Sequence, residues 1–173
     1  VMTLPMGAKV DAGFSEQFER YAFVVLPDKR TFYIHKKALA PLPKEPQSEA
    51  RTRELIVENA SKYLNVQYRW GGKTHAGIDC SGLAFMACHM AGINIWRDAD
   101  FDKTPRLREI ERDAAQPGDL YFFSGHIAVA IGDGDFIHAT AAEGKVTYGT
   151  FEPKSAFYRK WYDENFIRAG SLF

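Results

Sequence analysis

Cysteine is scarce in this chain: 173 residues contain two, Cys80 and Cys88. Eight positions apart on one expected helix, they stand about 12 Å apart at 1.5 Å rise per residue, too far for a disulfide. A disulfide scaffold is therefore excluded, and cysteine usage leaves the redox compartment open. Neither C-x-x-C nor H-E-x-x-H occurs, so no metal or other cofactor is expected. An excess of charge is missing too, with 22 basic against 22 acidic residues. That balance gives no reason to expect nucleic acid or a strongly anionic surface as partner. No apolar run approaches the roughly 20 residues that span a bilayer. The first residues, V-M-T-L-P-M-G-A, show neither a charged n-region nor an apolar h-region, and export stays undecided.

What is present suits a packed core: 46% hydrophobic and 14% aromatic residues, enough for one domain with a small appendage. Residues 1–42 read as short strands, with Tyr21–Leu26 and Thr31–Ile34 flanking a turn at Pro27–Arg30. So short a piece should pack on the rest. Residues 43–48 carry two prolines next to Pro41 and read as a stiff linker. Ser48 caps an expected helix over 49–64 with Ile56, Ala60, Tyr63 and Leu64 on its apolar face. Pro105 is expected to start a short helix. The last third is β-rich: strands at 120–123, 126–131, 135–139, 145–151 and 166–169, with a helical excursion over 153–162. Helices first and an antiparallel sheet afterwards make the class α+β.

Sixteen residues, Tyr68 to Leu83, carry the chemistry. A glycine-rich segment (Gly71, Gly72, Gly77) runs into Asp79, an N-cap candidate, and Cys80 opens a helix that ends at Gly92. Leu83, Met86, Ala87 and Met90 share its apolar face. A thiol in the first helical turn meets the positive end of the macrodipole, which favours thiolate. The free N–H groups there can hold an oxyanion. Most free cysteines are simply small buried residues; the position of Cys80 ahead of the apolar face argues otherwise.

His126 and His138 lie on the two arms of an expected hairpin around Gly132-Asp133-Gly134. A three-residue loop pairs Ile131 with Asp135 and puts both histidines on one face. A two-residue loop would separate them. On that register Ala128 and Ala130 share the histidine face, and Ile127, Val129 and Ile131 take the other. His126 then serves as general base and acid for the thiol, and His138 orients it. Taken alone, each histidine is more readily a satisfied strand residue, and a zinc site of Cys80, His126 and His138 is the minor reading.

These residues resemble the NlpC-type cysteine peptidases of bacterial peptidoglycan, which have a papain-like fold. The resemblance runs over 49–169, through Tyr68-x-Trp70-Gly71-Gly72, Asp79-Cys80-Ser81-Gly82-Leu83, Pro117-Gly118-Asp119-Leu120, His126-Ile127-Ala128-Val129 and Ile137-His138-Ala139. It implies a papain-like core over 49–173, with Cys80 as nucleophile, His126 as base and His138 as third residue. The Tyr68 hydroxyl would join the Cys80 N–H in the oxyanion hole. Asp79, Ser81 and Arg97 would be substrate contacts, and Trp70 part of the cleft wall. Residues 1–42 resemble the later strands of a bacterial SH3-like module, through Val25–Arg30 and Tyr33-Ile34; in relatives it borders the cleft and helps select a free N-terminal L-Ala. Tyr21, Tyr33 and Glu19 are its first candidates for substrate contact.

The implied reaction is hydrolysis of the γ-D-glutamyl–diamino acid bond in stem peptides. A monomer in the cell envelope or outside the cell is expected, with cytoplasmic peptide recycling left open. The module is short, and Ala99 stands where some relatives carry a substrate-contacting serine. A thiol-dependent amidase or acyltransferase on the same fold, or an inactive wall-binding module, are the competing readings.

Overall fold

Alternation and turn chemistry set the first strands. The structure, a computed structural model, describes residues 3–14, 16–41 and 47–173, which divide into two units, 1–46 and 47–173. Of the expected linker, 43–46 lies outside the described residues. In the first unit, β1 (Asp11–Phe14), β2 (Tyr21–Val25) and β3 (Thr31–His35) form an antiparallel sheet in that order. Ala22 and Val24 alternate inward. The turn closes with Lys29 at φ 70 and Leu26 N–H donating to Arg30 O at 2.9 Å.

The second unit begins where Ser48 caps α1 (Glu49–Ser61), its Oγ accepting from Arg51 N–H at 3.3 Å. Ile56, Ala60 and Tyr63 are buried as the 3.6-residue period requires. The segment after α1 folds back on a later strand through Asn65 N–H to Val146 O (3.0 Å) and Tyr68 N–H to Gly144 O (2.8 Å). Two short strands, β4 (Lys73–Thr74) and β5 (Gly77–Ile78), shape the glycine-rich loop. Then comes α2 (Cys80–Met90). The expected single apolar stripe is too narrow for it. Cys80 through Ala84 and Met86 through Cys88 are all buried, because α2 packs against α1 on one side and the sheet on the other.

The main sheet has the order β10-β9-β8-β7-β11-β6 and is antiparallel throughout. Its strands are β6 (Arg108–Ile110), β7 (Leu120–Phe123), β8 (His126–Gly132), β9 (Asp135–Thr140), β10 (Lys145–Thr150) and β11 (Phe166–Ser171). Tyr121, Phe123, Ala128, Ala130, Phe136, Tyr162 and Ala169 form one buried cluster on one face. α1 and α2 pack on β8. The alanines of β8 make room for four aromatic rings.

Two expectations fail. No helix starts at Pro105: residues 105–106 are a turn, with Arg106 in the left-handed region at φ 64, and the chain leaves it as β6. Of the helical excursion expected over 153–162 only the end is helical: 153–159 is turns and a bridge, and the helix α3 runs over Lys160–Asn165. Pro153 and Ser155 favour turns, as the Ser155 Oγ bond to Phe157 N–H (3.2 Å) shows.

Candidate active site

Cys80 is the first residue of α2 and 7% exposed. Asp79 caps the helix through Oδ1, which accepts from Gly82 N–H at 2.6 Å. Its Oδ2 accepts from Gly71 N–H at 2.7 Å. Arg97 reaches the same carboxylate with both Nη atoms, each at 3.1 Å. The guanidinium also donates to Ser81 Oγ (2.8 Å) and Gly72 O (3.2 Å). One charged fork thus binds the glycine loop to the helix start and fixes the backbone that presents the thiol. Gly82 is required there: a methyl on it would sit on the Gly72 carbonyl oxygen.

The thiol does not behave as its helix position alone suggests. Burial pushes its pKa up, against the pull of N–H groups of Ile127, Ser81 and Cys80, with Asp79 adding to the rise. Removing water from the sulfur outweighs the helix end, so the resting group is a thiol. Cys88, fully buried in the same helix, is pushed to about 12 by burial and is inert.

The histidine hairpin closes differently from the expected loop. Gly132 pairs with Asp135, leaving a two-residue turn of Asp133 (φ 53) and Gly134 (φ 78). The parity that this turn would break is restored by a bulge between Ala130 and Gly132, so that Ala130 faces Phe136 and Val129 faces Ile137. Both histidines therefore share a face after all, with Ala130 among the aromatics. His126 Nε2 lies 2.8 Å from His138 Nδ1. His138 is 1% exposed, and its Nε2 lies 3.3 Å from the Tyr162 hydroxyl.

Burial lowers His126 to about 4, and burial together with the His126 charge lowers His138 to about 3. Both rings are neutral at neutral pH. One proton lies between Nε2 and Nδ1; if His126 donates it, His126 Nδ1 is left unprotonated and able to take a proton from sulfur. His138 then carries its own proton on Nε2, toward Tyr162.

A cleft of about 470 Å³ is lined by Cys80, His126, His138 and Tyr68 together. Burial, with the nearby charges of Cys80 and Asp79, raises the Tyr68 hydroxyl pKa, so it stays a donor. Trp161 stands edge-on to His126, with ring centroids 6.1 Å apart. Of the other candidates, Ser81 and Arg97 belong to the Asp79 cluster. Trp70 is 84% exposed and outside this cleft's lining. Trp161 and Tyr162 were not legible in the sequence, since neither sits in a motif. Among the described residues, no group of three or more His, Cys, Asp or Glu is placed to hold a metal ion. Nor is any helix long and apolar enough to cross a membrane.

The chain is 37% identical over 142 residues to Dipeptidyl-peptidase 6 of Lysinibacillus sphaericus, covering 82% of this chain and 52% of that protein. It is 28% identical over 134 residues to Gamma-D-glutamyl-L-lysine dipeptidyl-peptidase of Bacillus cereus, covering 71% and 39%. The chain thus spans about half the length, or less, of these curated relatives. A crystal structure of an NlpC/P60 family protein from Bacillus cereus superposes with a TM-score of 0.74 at 23% identity, over 92% of this chain and 52% of that one; at that identity the match speaks for the fold. Residues 65–167, well over half the chain, match the model of the NlpC/P60 family, and the chain belongs to that family.

Proposed function

We propose that this chain is a cysteine peptidase of bacterial cell-wall peptides, cleaving the γ-D-glutamyl–diamino acid bond. The observation that carries it is the pair of neutral histidines, bonded at 2.8 Å, opening on the same cleft as a thiol at a helix N-terminus. As His126 Nδ1 takes the Cys80 proton, the sulfur attacks the amide carbonyl and the C=O pair moves onto oxygen. The Cys80 N–H and the Tyr68 hydroxyl stabilise that oxyanion. Collapse breaks the C–N bond, His126 returns the proton to the leaving amine, and a thioester remains. Water then gives its proton to His126 and attacks the thioester; the acid leaves, and the proton returns to sulfur.

A γ-linked glutamyl residue keeps a free α-carboxylate, which requires a cation or strong donors beside the scissile bond. Arg97 and Ser81, bonded to each other and, through Arg97, to Asp79 beside Cys80, are the groups proposed for this role; to take it they must turn part of their donors from one another to the substrate. One relative's printed name, Gamma-D-glutamyl-L-lysine dipeptidyl-peptidase, names a γ-D-glutamyl bond to a diamino acid, and the other's, Dipeptidyl-peptidase 6, a peptidase. We place its action in the cell envelope or outside the cell, with cytoplasmic peptide recycling as the alternative, and propose a monomer whose first 42 residues are a short SH3-like module.

The test is incubation with L-Ala-γ-D-Glu-diaminopimelate and product analysis by mass spectrometry. Release of L-Ala-D-Glu and free diaminopimelate is expected, and its loss in Cys80→Ala and His126→Ala. Undiminished cleavage by Cys80→Ala rules the mechanism out.

A further inference from the structure

The cleft is lopsided. Apart from Tyr68 and Cys80, every lining residue comes from the sheet side or from the start of α3. Ser124 and Gly125 precede His126, Thr140 ends β9 and residues 141–143 follow it, and Arg159 and Trp161 come from the start of α3. His126 must hand its proton to the departing amine, so the residue that supplies this amine lies against the imidazole. The sheet-side half of the cleft therefore receives the leaving group. That half ends in a pair of opposite charges, Arg159 Nη2 donating to Glu143 Oε1 at 2.9 Å.

The pair is held but not used up. Arg159 Nη1 donates to Ala156 O (2.9 Å) and Tyr158 O (2.8 Å), which anchors the guanidinium. Among the described residues, no hydrogen bond engages Glu143 Oε2 or Arg159 Nε. A carboxylate oxygen and a guanidinium edge thus stand side by side, prepared for an ammonium and a carboxylate carried on one carbon.

We propose that Glu143 and Arg159 recognise the zwitterionic end of a diamino diacid such as diaminopimelate in the leaving group, and so select it over lysine. Lysine ends in an ammonium alone and can satisfy Glu143 only. The inference rests on the bond assigned under the proposed function. The pair is solvent-exposed at the rim, so its contribution is one of selectivity rather than of large affinity.

The experiment compares kcat/KM for L-Ala-γ-D-Glu-meso-diaminopimelate and L-Ala-γ-D-Glu-L-Lys in the wild-type chain, Glu143→Gln and Arg159→Gln. Arg159→Lys serves as a second variant that keeps the charge but loses the fork, because Arg159 also bonds the backbone before α3. The wild-type chain should prefer the diaminopimelate peptide. Arg159→Gln and Arg159→Lys should each erode that preference about tenfold, mainly through KM. Glu143→Gln should raise KM for both peptides. Cleavage of both peptides with no wild-type preference, or a preference that no variant moves, overturns this inference and leaves the bond assignment standing. Cleavage of neither peptide overturns the bond assignment, and the inference with it.

Discussion

At the scale of single residues, desolvation decides the protonation states. An exposed imidazole titrates near 6.5, yet burial holds His126 near 4, so it stays neutral in mild acid, as the proposed base must. The acid limb of kcat/KM should therefore fall near pH 4, with activity lost below it as Nδ1 becomes protonated; rates of iodoacetamide inactivation should follow the same curve. A limb at or above 6.5 would contradict a buried neutral base. On the proposed mechanism Tyr162 would act as a positioning residue: its hydroxyl meets His138 Nε2 and can hold His138 in the tautomer that accepts from His126. Tyr162→Phe should lower kcat about tenfold while KM stays unchanged. A variant with changed KM and unaltered kcat would remove that role.

At the scale of elements, the start of α2 concentrates the constraints. The sequence marked Asp79 as cap and Cys80 as first helical residue, and both hold. It could not show that Arg97, 18 positions away, closes the cluster, since nothing local couples a guanidinium to a distant carboxylate. Gly82→Ala sets two effects against each other. Alanine favours a helix by about 1 kcal/mol, but the methyl collides with the Gly72 carbonyl, and overpacking costs roughly 1–3 kcal/mol. Overpacking should win, lowering the melting temperature and, by shifting the glycine loop, kcat/KM as well. An unchanged melting temperature would show that the loop yields freely. The histidine hairpin makes the complementary point: alternation identified the shared face, while the turn closed with two residues and a bulge corrected the parity.

At the scale of the whole second unit, two buried features couple fold to conditions. Arg53 of α1 donates to Asp119 Oδ1 (2.8 Å), Pro117 O (3.1 Å) and Ser171 Oγ (3.2 Å), tying the first helix to the turn before β7 and to β11. Asp119 is 1% exposed. Arg53→Ala would strand its charge, at a cost of about 3–5 kcal/mol, read as a lower denaturation midpoint. The histidines set the pH dependence. Both have folded-state pKa values below the 6.5 of the unfolded chain, so the unfolded state binds more protons between them. Stability is full above about 6.5 and falls as the pH drops toward 4 for His126 and 3 for His138. The shift of His126 to about 4 corresponds to roughly 3 kcal/mol. Urea midpoints should decline across that window, and less steeply in His138→Gln.

Much of this was written locally. Hydrophobic period, capping residues and turn glycines depend on neighbours along the chain, so α1, α2, the strands β2, β3 and β7 to β11 and the candidates Cys80, His126 and His138 could be read from the sequence alone, whereas the short strands β4, β5 and β6 could not. Pro105 and the stretch 153–162 misled because a helix-compatible composition does not specify a helix when turns can satisfy the backbone. Only the tertiary structure decided which groups lose water and which distant side chains meet: the raised thiol, the lowered imidazoles, Tyr162 behind His138, and Glu143 beside Arg159. Desolvation and long-range pairing are properties of packing, and one-dimensional spacing does not contain them.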